Sequence, residues 1–179
     1  MTISDHLNSR IESAQAARRE ARTQDAWGQY QEVVTLSRRQ GKKEKLVAGL
    51  KGLGQIERDR GNSEAALPYY LEATNLARDI GDELDLAHTI RHLADAYREI
   101  GNLDSAESCY LEVLAIYRAN PRTRTLDLAN AIRPMALLME KLLRIDDARV
   151  LWEEAEQLYS SAAINEGVEE CQQAVRRCS

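Results

Sequence analysis

A segment recurs four times along these 179 residues at a spacing of 40 to 42. A chain that repeats at that period folds as a stack of small units, each burying its apolar face against its neighbours. Shifted by 42, Leu84 to Tyr117 meets Leu126 to Tyr159 with 11 identities in 34 positions. Shifted by 40, Leu46 to Arg78 meets Leu86 to Arg118 with 10 identities in 33. The most regular element is an alanine followed four residues later by an aromatic: Ala26 and Tyr30, Ala66 and Tyr70, Ala106 and Tyr110, Ala148 and Trp152. Residues four apart share a helical face, so a neighbouring helix can approach at the methyl while the ring fills the adjacent gap.

Each unit reads as two helices joined by a tight turn. In the third, Leu86, Ile90, Leu93, Ala94 and Tyr97 recur at steps of three and four. Gly101-Asn102 then breaks the pattern, and Leu103, Ala106, Tyr110, Val113, Leu114 and Tyr117 resume it. The glycine supplies a left-handed helix end, and Asp104 or Ser105 is placed to cap the next helix. The second unit repeats the arrangement at Gly61-Asn62-Ser63.

A small residue, a Gly turn, an alanine and an aromatic at these offsets resemble the tetratricopeptide repeat. LADAYREIGNLDSAESCYLEVLAIYR, from Leu93 to Arg118, is close to that family's consensus, and Gly54 stands at the small position of the preceding unit. The spacing exceeds the family's usual ~34 residues and is similar to that of its kinesin-light-chain-like branch, so helices or linking loops must be longer. The resemblance implies an all-α, right-handed α-solenoid of about four helix-turn-helix repeats, at 7–41, 46–81, 86–119 and 126–160, within a single domain. A further amphipathic stretch, with Ile164, Val168, Cys171 and Val175 at helical steps, reads as a capping helix over 164–178.

The outer units depart from the pattern. Ala21-Arg22 and Leu143-Arg144 stand where Gly-Asn pairs stand in the middle two. Pro121 marks a linker, and Pro134 falls inside the first helix of the fourth unit, where it should free the carbonyl of Asn130 and kink the helix.

Composition, at 44% hydrophobic with 30% charged, fits a soluble helical domain with a continuous core. The N-terminal residues mix polar and small side chains unlike a signal peptide, no run approaches a membrane span, and the expectation is a cytoplasmic protein. Cys109, Cys171 and Cys178 lack metal-ligand spacing and fit reduced thiols; Cys109 and Cys171 read as packing residues and Cys178 as an exposed one.

In the family that the chain resembles, the first helix of each pair lines an inner groove. The groove positions carried over are Lys51, Arg91 and Arg133, three before the small residue, and Arg58, Arg98 and Glu140, four after it. Five of these six are cationic in a protein of formal net charge -5, which suggests an acidic or carboxylate-bearing partner. The opposing reading is that these cations pair with nearby Asp and Glu, Asp95 beside Arg91 and Arg98 being the obvious candidate. Gln55, Asp95 and Leu137 stand where the family's chaperone-tail carboxylate clamp needs asparagine. His92, Asn130 and Pro134 replace further clamp residues, so recognition of that kind is not expected.

Asp85, His88, His92 and Asp95 share one side of a helix. Two histidines at i and i+4 can chelate a metal, yet Arg91 lies beside them, and the expectation is that His88 and His92 line the groove without one. Glu32, Glu72, Glu112 and Glu154 recur two residues after each aromatic and read as a solvated outer face. The basic run Ser37 to Lys45 lies at helix ends, where cations complement the macrodipole. It is not interleaved with aromatics, which leaves a nucleic-acid- or small-ligand-binding regulator as the alternative class. No phosphate loop, nucleophile with a base, or strand pattern supports an enzyme or a cofactor site. The sequence therefore points to a non-enzymatic module binding an acidic protein or peptide through Lys51, Gln55, Arg58, His88, Arg91, His92, Asp95, Arg98, Asn130, Arg133 and Leu137.

Overall fold

The computed structural model describes residues 2–178. Among them are nine α-helices and no strand: α1 (Ile3–Arg19), α2 (Thr23–Gln40), α3 (Lys43–Asp59), α4 (Ser63–Ile80), α5 (Glu83–Glu99), α6 (Leu103–Ala119), α7 (Thr125–Lys141), α8 (Ile145–Ser161) and α9 (Asn165–Arg177). The architecture is an all-α repeat solenoid. Helices of 17 and 18 residues, joined by turns of three and two, account for the 40-residue period. The longer connection 120–124, which contains Pro121, lengthens the last one. The chain divides into two compact units, residues 1–100 and 101–179.

In the first unit, α1 packs on α2, α2 on α3, α3 on α4 and α4 on α5. Helix α3 also lies close to both α1 and α5, whereas α2 and α4 stand further apart and meet through long side chains. The odd-numbered helices thus form the tighter, inner side of this stack. Its core is built from Ala14, Ala17, Ala26, Tyr30, Val34, Leu46, Val47, Leu50, Leu53, Ile56, Ala73 and Ala77. The alanine-aromatic device works as its spacing predicts: Ala26 and Ala66 are fully buried, and the Tyr30 and Tyr70 rings are almost so. The gaps that the rings fill are opened by glycines. A Cβ on Gly52 would meet the Tyr30 ring at 2.4 Å, and one on Gly54 would meet the Tyr70 ring at 2.8 Å.

In the second unit, α6 packs on α7, α7 on α8 and α8 on α9. Trp152, Ala148, Ile132 and Leu138 are fully buried, and the indole Nε1 donates to Glu140 at 2.5 Å. Helix α7 continues through Pro134 as one element. Helix α9 covers α8 through Cys171 and Ala174, both fully buried, with Gly167 pressed to the Tyr159 ring. The expected cap exists, with Cys171 of its anticipated stripe buried and Val168 and Val175 half-buried, and two positions differ. Ile164 precedes the helix and is 38% exposed, while Cys178, expected at the surface, is buried. Burial pushes the Cys171 thiol up to about 11, consistent with a packing residue.

The turns settle a second expectation. Gly41, Gly61, Gly81 and Gly101 are left-handed, and Ala21, Leu143 and Ala163 adopt the same conformation where glycine is missing. The closing hydrogen bonds are equivalent: Asn62 N donates to Glu57 O at 2.8 Å, Arg22 N to Ala17 O at 2.8 Å and Arg144 N to Met139 O at 2.9 Å. Tertiary packing therefore imposes the turn where local chemistry does not favour it. The cap of α6 is not Asp104 or Ser105 but Asn102, whose Oδ1 accepts from Ser105 N at 3.2 Å.

Candidate partner-binding face

The expected groove residues of the first unit lie on the inner helices α3 and α5, and the structure brings most of them into one charge network. Lys51 Nζ donates to Asp85 Oδ1 at 2.6 Å and lies 3.5 Å from His88 Nδ1. Arg58 Nε donates to Glu99 at 3.0 Å, Nη1 donates to Asp95 at 3.4 Å, and Ser63 Oγ donates to Glu99 at 2.5 Å. Gln55 donates to Asp59, which also takes two hydrogen bonds from Arg18 of α1. Along the stack each cation reaches forward to a carboxylate on the next inner helix: Arg18 to Asp59, Lys51 to Asp85, Arg58 to Glu99.

Burial opposes the charge of Arg58, but the hydrogen bond to Glu99 and the field of Asp95 outweigh it and raise its pKa. For Glu99 burial pushes upward, and the hydrogen bonds from Arg58 and Ser63 prevail, so the carboxyl sits below its usual range. Within this network Arg91 differs. Its nearest carboxylate oxygen, on Asp95, is 3.7 Å away, beyond hydrogen-bond length, and Asp95 is already engaged by Arg58.

His92 stacks on Tyr70 with ring centroids 5.7 Å apart and planes 10° from parallel, and the His88 ring meets it edge-on at 4.7 Å. Nδ1 of His92 is buried without a hydrogen-bond partner. Burial, reinforced by Arg91, His88, Arg58 and Lys51, holds its pKa well below the usual 6.5. Among the described residues no three His, Cys, Asp or Glu side chains converge on a metal-sized point. Arg98 is half-buried near the end of α5.

In the second unit, Arg133 of α7 donates to Glu170 of α9 through Nε at 2.8 Å and Nη2 at 2.7 Å. Asn130 Oδ1 accepts the Tyr159 hydroxyl at 2.8 Å, and Leu137 is half-buried. Glu140 accepts from Trp152 and Arg177.

The recurring glutamates are not simply solvated. Glu72 accepts from Arg38 at 2.7 and 2.8 Å, and Glu154 from Arg118 at 2.7 Å, pairing each outer helix with the one a repeat earlier. The sequence carried a signal for this, since Arg38 and Arg118 stand at equivalent repeat positions, as Arg18 and Arg58 do for the inner pairs. Nearby, Trp27 meets Tyr69 edge-on at 6.1 Å and carries the Arg60 guanidinium over its ring at 5.1 Å.

A family model for the tetratricopeptide repeat matches residues 46–119. No curated protein matches the sequence. Among solved structures, the apo form of RapI superposes with a TM-score of 0.87 at 10% identity, covering 99% of this chain and 69% of that one. A kinesin light chain of Podosopora anserina with nearly identical TPR-like repeats gives a TM-score of 0.62 at 17% identity, covering 99% and 97%. A signal-transduction ATPase with numerous domains from Pyrococcus horikoshii, which has a tetratricopeptide repeat sensor, gives 0.82 at 16% identity. The match covers 94% of this chain and 26% of that one. At these identities the likeness is one of fold. Among the described residues no helix is long and apolar enough to cross a membrane.

Proposed function

Because the chain carries tetratricopeptide repeats, we propose that it is a non-enzymatic protein-interaction module, and that the inner face of its first unit binds an acidic peptide or partner surface. The repeat fold itself suggests protein or peptide binding. The observation that carries the finer reading is Arg91. Its side chain is 19% exposed, it acts on His92 together with Lys51 and Arg58, and its donors are not hydrogen-bonded to Asp95. A guanidinium with a free fork accepts a carboxylate in bidentate fashion. The neighbouring cations are held in place by their own carboxylates, so the face is preorganised but nearly neutral. Specificity then comes from geometry rather than from bulk positive potential. Gln55, His88 and Arg98 extend the face on either side.

Affinity capture from the native host's lysate tests the reading, with wild type compared with Arg91→Gln after circular dichroism has shown both to be folded. Partners lost with the variant, and competed from wild type by a glutamate-rich peptide, support it. Partners retained by the variant sink the acidic-ligand assignment at this face.

A further inference from the structure

Lys51 and Arg58 of the inner face are hydrogen-bonded to carboxylates, and a different group of cations lacks even an ion pair. Among the described residues, Arg39, Lys42 and Lys45 have no carboxylate within 4 Å, although their neighbours Arg38 and Lys43 pair with Glu72 and Asp79. All five cations fall between Arg38 and Lys45, around the left-handed Gly41 that joins α2 to α3, and Glu44 is the one acid among them. Arg38, Arg39, Lys42 and Lys43 are exposed, and Lys45 is half-buried.

Helix electrostatics explain only part of this cluster. Arg38 and Arg39 stand in the last turn of α2, where positive charge is favourable. Lys42, Lys43 and Lys45 stand at the start of α3, the positive end of its dipole, and no side chain caps that end. Helix α3 has Glu44 in its first turn, as α1 has Asp5, α5 has Glu83 and Asp85 and α7 has Asp127, but in α3 the acid is outnumbered by the three lysines around it. Three lysines at the start of α3 therefore work against the helix that carries them, which sets this turn apart as a surface kept for something other than folding.

We infer that the turn between α2 and α3 is a second docking surface, which takes a short acidic segment of a protein partner through Arg39, Lys42 and Lys45. A compact cluster around one turn matches a few adjacent Asp or Glu side chains. It does not match a nucleic-acid strand, which needs a longer cationic track and stacking aromatics. No aromatic stands between Ser37 and Lys45, and residues 1–100 carry 15 Lys and Arg against 16 Asp and Glu. A long polyanion would meet repulsion outside the turn, and a short one would not. This surface is separate from Arg91 and stands or falls without it.

The test uses the full chain with hexaglutamate as probe, followed by calorimetry and by amide chemical shifts. Binding should move the amides of 39–46, and the triple variant Arg39→Gln, Lys42→Gln, Lys45→Gln should lose about tenfold or more in affinity. The amide shifts of 39–46 should persist in Arg91→Gln, whatever that variant loses at the inner face. The double variant Lys42→Gln, Lys45→Gln relieves repulsion at the start of α3, so its melting temperature should hold or rise and lost binding is not confused with unfolding. The inference would be overturned by no binding to wild type, by shifts confined to other residues, by wild-type affinity in the triple variant, or by tighter binding of an oligonucleotide of equal charge. Loss of binding with Arg91→Gln alone would support the inner-face reading and sink this one.

Discussion

Arg133 holds Glu170 through two parallel hydrogen bonds, and the pair puts the final helix in the role of a next repeat's inner helix. Lys51 stands at the equivalent position of an earlier repeat and reaches Asp85 on α5 in the same forward sense. Helix α9 therefore caps by imitation, presenting a carboxylate to Arg133. Glu170→Ala should remove that bidentate pair and lower stability by about 1 kcal/mol, since both side chains are about 40% exposed and solvent screens them. Chemical denaturation would measure it, and Glu170→Gln should recover little of the loss.

The glycines under the tyrosine rings set a steric requirement that helix propensity opposes. Gly52→Ala improves intrinsic helicity by up to about 1 kcal/mol. It also drives a methyl to within 2.4 Å of the Tyr30 ring, a strain of about 1 to 3 kcal/mol in a packed core. Net destabilisation is expected, and adding Tyr30→Leu should return part of it if ring overlap is the cause. Thermal melts of the single and double variants provide the check.

Leu143 is left-handed at φ 59 and 83% exposed, so neither backbone preference nor burial favours leucine there. Leu143→Gly should raise stability by about 1 kcal/mol by relieving the Cβ clash. The reverse kind of change, Gly61→Ala, should lower stability by a similar amount. A rise in one melting temperature and a fall in the other is the expected pattern.

Acid should weaken the first unit through His92. Its folded pKa lies well below 6.5 because burial, aided by nearby cations, disfavours the charged ring. The unfolded chain therefore binds the proton more readily, and stability falls as pH drops below about 6.5, the loss continuing down to the folded pKa. The opposed charges facing the ring come from Lys51 and Arg58 on α3 and from Arg91 on its own helix, while Tyr70 on α4 contributes a neutral stacking surface. His92→Gln should flatten the pH dependence of unfolding between about pH 6.5 and 5.

The fold was legible because it is periodic. One alanine-aromatic spacing, seen four times, located the helices, and the two middle glycines located their turns. The left-handed Ala21 and Leu143 were not legible, since nothing local selects that conformation and only the packing of the flanking helices does. The candidate face was legible in half. Repeat offsets placed Lys51, Arg58, Arg91 and Arg133 on inner helices, but the carboxylates that neutralise Lys51, Arg58 and Arg133 lie 34 to 41 residues downstream. Pairing across such a distance is set by stacking, whereas the i,i+4 partner that the sequence offers Arg91, Asp95, stands 3.7 Å away.

The forward-reaching pairs of the inner helices have a direction. Within the first unit α1 offers a cation to α3 and α3 offers cations to α5, so the coupling is head-to-tail, like links of one polarity. An extra copy of residues 46–85 inserted in frame would find both of its complements waiting. A copy begun half a period later would set an outer helix against an inner one and leave charges orphaned. A change of length within this unit keeps its pairs matched only in whole repeats, so the electrostatics act as a ratchet on the count.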